Sequence, residues 1–246
     1  MEQRFFRELY ERVQDRWERI LKHSFLQELA SSTLSQEKFF FYLNQDDYYL
    51  EDLLAAVGVL VAKAREKALR RFAIRLLSET VQGEVAMHEA LEKEKGFSTY
   101  PPGKVALEYG DFLLRTAYTF SPFEILVSLA PCFVSYRDIG LYYKDKLTEK
   151  TLPLYRAFFE TYAGEAYGKL VADFLFFLEE MARLATPWQK ELAHSIFERA
   201  VMYEWHFWEE SYRFPLSATL KYAEEDASGK NSEKGSTHSS NETHGG

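Results

Sequence analysis

The spacing of apolar residues near the N-terminus is the feature that most restricts how this chain can fold. Starting from Leu9, apolar side chains return after three or four positions at Val13, Trp17, Ile20 and Leu21. This period places them on one face of an α-helix, whereas a half-buried strand would alternate apolar and polar residues. The same period recurs along the chain, and no stretch alternates. The sequence therefore predicts an all-α fold whose first helix contains these five positions.

Local signals divide the rest of the chain into further helices. Ser35, Ser121 and Thr186 each precede a helical apolar segment, and proline directly follows the last two. Serine and threonine side chains accept hydrogen bonds from the first amides of a helix, and proline suits its first position. We therefore expect a helix to begin after each of these residues, and a break near Gly164.

Length and composition indicate one folded domain with a polar tail. A chain of 246 residues, of which 46% are hydrophobic, can bury one sizeable core. From Ala223 onward the chain has no large apolar side chain, so this segment cannot bury enough surface to fold. We predict a helical domain over residues 1–215 and a polar, disordered C-terminal tail over residues 216–246.

Charge, hydropathy and cysteine content exclude several classes of protein. The net charge is −8 without a basic cluster, which argues against nucleic acid as a partner. No run of about 18 apolar residues and no signal-peptide core occur, so we expect no membrane partner. The single cysteine suits a reducing compartment, and we expect a cytoplasmic protein. Aromatic residues make up 16% of the chain, which favours a pocket lined by rings.

The only cysteine, Cys132, lies in the segment SLAPCFVSYRDIG. A lone buried cysteine usually behaves as a small apolar core residue. Tyr136 lies four positions later on the same helix face, where its hydroxyl would reach a thiolate. Pro131 should kink the helix directly before the thiol. Core packing and nucleophilic chemistry both remain open on this evidence.

Two acidic residues have aromatic neighbours that suggest a pocket. Asp46 has Tyr42 and Tyr49 on its helix face, so it either contacts a ligand or forms a solvated pair with Asp47. Glu204 lies in the segment MYEWHFW. If its neighbours bury it, Glu204 is a candidate general acid. The alternative is an exposed carboxylate between rings on other helix faces.

Glutamate and histidine occur at metal-ligand spacing in two places, Glu84 with His88 and Glu191 with His194. A dinuclear site in a helical bundle needs such pairs on several helices. A hydrogen bond or an ion pair along one helix explains either pair more simply. The sequence therefore predicts neither a metal nor a cofactor.

Six segments, in order, resemble the thiaminase-II (TenA-like) family. They are HSFLQELASSTLSQEKFFFYLNQDDYYL, ETVQGEVAMH, AYTF, PCFVSY, YRAFFETY and YEWHFW, and the match covers about residues 5–214. The resemblance implies an all-α, single-domain, heme-oxygenase-like helical bundle that assembles as a homotetramer. The presence of Cys132 indicates the branch of the family that carries a cysteine.

The resemblance also implies an activity and a set of site residues. The expected enzyme is an aminopyrimidine aminohydrolase, or thiaminase II. It would act on 4-amino-5-aminomethyl-2-methylpyrimidine, or on thiamin, in thiamin salvage. Cys132 would be the nucleophile and Glu204 the proton donor. The substrate-binding residues would be Asp46, Tyr49, Tyr118, Tyr136 and Tyr162.

Two other classes of function remain open on the sequence alone. A dinuclear-metal oxidase of the same fold class would require Glu84, His88 and further ligands, and metal analysis would detect it. A non-enzymatic helical protein that binds or regulates a partner would keep the aromatic residues. It would not require Cys132 and Glu204 together, so substitution of either would leave its function intact.

Overall fold

A computed structural model of the protein describes residues 4–85 and 98–214. This part of the chain contains ten α-helices and no strand, and the predicted tail over residues 216–246 lies outside it. A π-helical turn covers Val81–Val85 and a 3₁₀ turn covers Lys144–Lys146. The helices are α1 (Arg4–Glu11), α2 (Gln14–Leu21), α3 (Ser24–Ser31), α4 (Gln36–Lys63), α5 (Lys67–Thr80), α6 (Lys104–Thr119), α7 (Pro122–Tyr143), α8 (Pro153–Ala163), α9 (Glu165–Leu184) and α10 (Pro187–Arg213).

The predicted capping residues begin their helices as expected. The Ser35 side chain accepts a 3.3 Å hydrogen bond from the amide of Lys38 at the start of α4. Ser121 and Thr186 each form a capping box, in which the side chain at the third helical position also binds back to the cap. The break near Gly164 separates α8 from α9. These predictions are confirmed.

The prediction of one continuous first helix is wrong. The chain turns at Val13 and again at His23, which separates α1, α2 and α3. Leu9, Val13 and Trp17 are nevertheless all buried in the same core. The apolar period is therefore satisfied by short helices that wrap around the core, and the period alone does not distinguish them from one long helix.

Helix α7 runs through the centre of the fold and packs against α6, α8, α9 and α10. Every residue from 123 to 136 is buried, and the helix continues through Pro131. Among the described helices, Pro122–Lys146 is the one whose length and hydropathy would allow a membrane span. Because 78% of its apolar window is buried inside the protein, these properties suit a central core helix equally well.

Close packing fixes the position of α8 relative to α7. A Cβ atom at Gly140 on α7 would lie 2.4 Å from the backbone nitrogen of Ala163, so only glycine permits this approach. Arg137 Nη1 donates to the carbonyl oxygens of Tyr162 and Gly164 at 2.9 and 2.8 Å. The guanidinium group thus holds the end of α8, which carries one of the predicted site tyrosines.

Candidate active site

Helix α4 places a carboxylate in the protein interior. Asp46 is buried, and so are Tyr42 and Tyr49 on the same face of the helix. The Tyr42 hydroxyl donates a 3.3 Å hydrogen bond to Oδ2 of Asp46. Asp47, about 100° further around the helix, is only half-buried. Asp46 is therefore the interior member of the pair, and a solvated pair is excluded.

Helix α7 brings the only thiol to the same region. Cys132 and Tyr136, one turn apart, are both buried. The Tyr136 hydroxyl lies 2.9 Å from the Tyr42 hydroxyl, which in turn binds Asp46. The helix that carries Cys132 is thus hydrogen-bonded to the helix that carries Asp46.

Helix α10 contributes a second buried carboxylate, Glu204. Tyr109 on α6 donates a 2.8 Å hydrogen bond to its Oε1 atom. Ser135 on α7 donates a 3.3 Å hydrogen bond to its Oε2 atom. None of Cys132, Asp46 and Glu204 is more than 6% exposed. Three helices therefore meet at one carboxyl group that is shielded from bulk solvent, where electrostatic interactions are stronger than in water.

The phenols of this region share an electrostatic environment with the thiol and both carboxylates. Burial raises the pKa of Tyr49 well above its usual value, and negative charge on Cys132, Tyr109 and Glu204 raises it further. Burial also raises the pKa of Tyr136, followed by the charge of Asp46. Each phenol therefore keeps its proton and remains a hydrogen-bond donor.

Aromatic rings surround these polar groups. The ring centroids of Tyr49 and Tyr109 are 4.6 Å apart, and those of Tyr136 and Tyr162 are 4.8 Å apart. The indole ring of Trp208 lies 5.5 Å from the ring of Tyr136. The buried Tyr49 hydroxyl interacts with the Cys132 thiol and with the Tyr109 hydroxyl, so the thiol lies at the edge of this cluster of rings.

The structure brings together most of the predicted site residues, namely Cys132, Glu204, Asp46, Tyr49, Tyr136 and Tyr162. The structure does not bring Tyr118 to this cluster, because its side chain is 70% exposed. Tyr109 occupies the buried position on that helix. The two tyrosines are nine residues apart, and nine steps of about 100° place them on opposite faces of α6. The apolar period of α6 indicates from sequence alone that Tyr109 is the buried tyrosine, because it shares a helix face with buried Leu113 and Thr116.

Only one of the two glutamate–histidine pairs singled out in the sequence has both side chains described by the structure. Glu84 and His88 lie outside the residues whose side chains the structure describes. His194 packs against Phe5, with ring centroids 5.9 Å apart. Among the described side chains, no three of the metal-binding types histidine, cysteine, aspartate and glutamate are grouped to hold an ion.

Residues 10–214 match the TENA/THI-4/PQQC family. The chain is similar to the aminopyrimidine aminohydrolase of Halalkalibacterium halodurans, with 27% identity over 213 residues, which cover 85% of this chain and 95% of that protein. It is also similar to the solved structure of a TenA homologue from P. horikoshii OT3, with a TM-score of 0.78 and 31% identity over 85% of this chain and 98% of that one.

A third similarity concerns the fold alone. A domain from Shewanella denitrificans with a heme oxygenase-like fold superposes with a TM-score of 0.67 at 13% identity, over 91% of this chain and 95% of that chain. The predicted fold class, an all-α heme-oxygenase-like bundle, is confirmed. The resemblance read from the six sequence segments is confirmed as well, because the match spans most of the chain and includes every residue of the site. The chain belongs to the TENA/THI-4/PQQC family.

Proposed function

We propose that the protein hydrolyses 4-amino-5-aminomethyl-2-methylpyrimidine to 4-amino-5-hydroxymethyl-2-methylpyrimidine and ammonia in thiamin salvage, and that it also hydrolyses thiamin. It is a hydrolase of carbon–nitrogen bonds, in line with the name of its Halalkalibacterium relative. The observation that carries the proposal is the enclosure of one thiol and two carboxylates, Cys132, Asp46 and Glu204, among the same buried tyrosines.

Cys132 supplies the nucleophile in this proposal. Direct displacement at the substrate's methylene carbon is slow, because an amine is a poor leaving group. The Cys132 thiolate instead adds to the ring carbon beside a ring nitrogen, which forms a C–S bond and moves an electron pair onto the ring. Covalent catalysis of this kind divides one difficult reaction into easier ones.

Glu204 moves the proton that this addition requires. In its acid form it protonates the ring nitrogen as the C–S bond forms, and the electron pair held in the ring then expels the amine. A positioned general acid contributes typically about 10²–10⁴ in rate. Water adds to the exocyclic methylene and loses one proton to the departed ammonia. The C–S bond then breaks, and the ring proton returns to Glu204. The thiolate and the acid are thereby restored, and with thiamin the thiazole leaves in place of ammonia.

Asp46 and the tyrosines hold the substrate. The Asp46 carboxylate accepts hydrogen bonds from the 4-amino group, which fixes the orientation of the ring relative to Cys132. Tyr49, Tyr136 and Tyr162 present ring faces for stacking, and the phenols of Tyr49 and Tyr136 stay protonated as hydrogen-bond donors. A pyrimidine ring needs both kinds of contact, and no metal or cofactor takes part in these steps.

The test is a chromatographic assay for the hydroxymethyl product. Wild-type protein and the Cys132→Ala and Cys132→Ser variants are incubated with the aminomethyl pyrimidine and, separately, with thiamin. We expect product from the wild type and a loss of several orders of magnitude in both variants, which remain folded by circular dichroism. The ratio of the two wild-type rates identifies the preferred substrate.

Two results would contradict the proposal. Absence of product from the wild type with both compounds would exclude the hydrolase activity. Undiminished turnover by a folded Cys132→Ala protein would exclude covalent catalysis by this thiol and would leave the hydrolase activity to be explained by other groups of the site.

The proposal includes a cytoplasmic homotetramer that acts on small molecules, with neither nucleic acid nor a membrane as partner. The homotetramer is what the resemblance to the thiaminase-II family implies. Light scattering during size-exclusion chromatography should give about four times the chain mass of 28.8 kDa. A mass equal to one chain would contradict this part of the proposal.

A further inference from the structure

The Glu204 carboxyl group is held by two donors that differ in chemistry. Tyr109 binds Oε1 at 2.8 Å and Ser135 binds Oε2 at 3.3 Å. Tyr109 keeps its proton, because burial and the charge of Glu204 raise its pKa well above the usual value. A serine hydroxyl can donate to a carboxylate, and after rotation it can accept from a carboxylic acid. Ser135 is therefore the partner suited to an oxygen that gains and loses a proton.

Ser135 differs from two other buried hydroxyls inside helices, those of Ser128 and Thr116, in the partner that it binds. Serine and threonine inside a helix often donate to a carbonyl oxygen of the preceding turn. Ser128, two turns earlier in α7, does so at 2.8 Å with Ile125, and Thr116 on α6 does so with Phe112. Ser135 is 0% exposed, and its hydroxyl binds across to α10. This bond fixes the carboxyl group relative to α7.

The position of Ser135 in sequence links it to the proposed nucleophile. It lies three residues after Cys132, so both side chains lie on neighbouring positions of one helix face. Tyr109 approaches Glu204 from a different helix, α6. The Oε2 atom of Glu204 is therefore the oxygen attached to the Cys132 helix.

We propose that Ser135 is a positioning residue that holds Oε2 of Glu204 on the Cys132 side of the site and makes this oxygen the one that gives and takes the proton. In the carboxylate state the Ser135 hydroxyl donates to Oε2. In the acid state the hydroxyl rotates and accepts from the protonated Oε2, which keeps the proton on this oxygen until it passes to the ring nitrogen of the substrate. This inference rests on the proposed role of Glu204 as proton donor.

Infrared titration tests the contact without substrate. The band of the protonated Glu204 carboxyl is identified by its loss in Glu204→Gln. Ser135→Ala removes a donor to the carboxylate state, so the pH at which this band is half lost should rise by about one unit. Ser128→Ala is the matched control, because it removes an equally buried hydroxyl from the same helix and should leave the midpoint unchanged.

Activity gives the second readout. We expect Ser135→Ala to lower kcat about 10-fold with a smaller change in KM, and to shift the pH profile of kcat in the direction of the infrared midpoint. Ser128→Ala should do neither. Ser135→Thr keeps the hydroxyl and should stay near the wild type. If the alanine variant does not fold, Ser135→Cys, with its weaker donor, takes its place in both measurements.

The outcomes separate this inference from the proposed function. Equal midpoints in the Ser135→Ala and Ser128→Ala proteins would overturn the role of Ser135, whatever the activity of the wild type. A wild type without hydrolytic activity would overturn the proposed function. A shifted midpoint in that inactive protein would still support Ser135 as the residue that positions the Glu204 proton.

Discussion

The Tyr109 hydroxyl lies 2.8 Å from Oε1 of Glu204, although the two residues are 95 positions apart in the sequence. The contact joins α6 to α10 inside the core. Because burial raises the pKa of Tyr109 well above its usual value, the phenol donates this hydrogen bond throughout the pH range in which an enzyme would work. It therefore stabilises the carboxylate form of Glu204 and limits its rotation.

Replacing Tyr109 with phenylalanine should reduce turnover more than stability. The variant loses one buried hydrogen bond, which costs about 1 kcal/mol in the free energy of unfolding. Because the partner is the proposed proton donor, we also expect kcat to fall about 10-fold. Urea unfolding and steady-state kinetics measure the two effects.

Tyr155→Phe is the matched control for this substitution. Tyr155 is fully buried on α8, and its hydroxyl donates a 3.0 Å hydrogen bond to the carbonyl oxygen of Leu34. Its loss should lower stability by a similar amount and leave kcat unchanged. Equal values of kcat in the two variants would show that the Tyr109 hydroxyl is purely structural.

Replacing Asp46 with asparagine should weaken binding of the pyrimidine. The buried carboxylate is the proposed acceptor for the 4-amino group, and hydrogen bonds to charged groups contribute about 1.5–3 kcal/mol. We expect the dissociation constant of the hydroxymethyl product, measured by calorimetry, to rise about 10- to 100-fold. The neighbouring half-buried Asp47, changed to asparagine, should bind the product like the wild type. A tight-binding Asp46→Asn protein would rule out this contact.

The sequence predicts the ends of helices better than their continuity. Ser35, Ser121 and Thr186 identify helix starts because the capping side chain and the amides it binds are at most three residues apart. The turn at Val13 has no capping side chain, and the turn at His23 is capped by a histidine, which is not among the residue types that usually mark a helix start. They are determined by how α1, α2 and α3 pack around the core, which is a property of the whole fold.

In the site too, the sequence predicts which residues share one helix face but not which residues of different helices are in contact. Asp46 with Tyr42 and Tyr49 follows from helical spacing, because all three lie on α4. The hydrogen bonds that Glu204 accepts from Tyr109 and Ser135 cross between helices and have no local signature. Resemblance to a family supplies the residue types of the site, but the helical period is needed to choose between tyrosines on opposite faces of α6.

Lys63 joins the end of α4 to the end of α6. Its Nζ atom donates to the carbonyl oxygens of Ala117, Tyr118 and Phe120 at 2.6, 2.9 and 2.6 Å. These carbonyl groups lie at the C-terminal end of α6 and just beyond it, where a cation is favoured by the helix dipole.

Lys63→Met should therefore destabilise the fold by about 2 kcal/mol in the free energy of unfolding, since it leaves these carbonyl groups without the charged donor. The exposed Lys67, changed to methionine, is the control and should have a much smaller effect. Urea unfolding of both variants provides the measurement. Equal stability of the two proteins would show that water replaces the ammonium group at no cost.

His23 caps α3 and bonds to α10 at the same time. Its Nδ1 atom accepts a 3.1 Å hydrogen bond from the amide of Phe25, so Nδ1 carries no proton. Its Nε2 atom lies 3.0 Å from Oε2 of Glu209 and donates to it. Burial lowers the pKa of His23, and the carboxylate of Glu209 offsets only part of this effect.

Stability should fall as the pH is lowered through the ordinary range of histidine. The unfolded chain takes up a proton at His23 near pH 6.5, about the usual value, whereas the folded protein does so only at lower pH. Below about pH 6.5 the free energy of unfolding should therefore decrease, because of this residue, by at most about 1.4 kcal/mol per pH unit.

His23→Asn keeps a capping side chain that does not titrate and should flatten this slope. The exposed His206, changed to asparagine, should leave it unchanged. Urea unfolding between about pH 5 and about pH 7 compares the three proteins, and equal slopes in all of them would contradict a buried neutral His23.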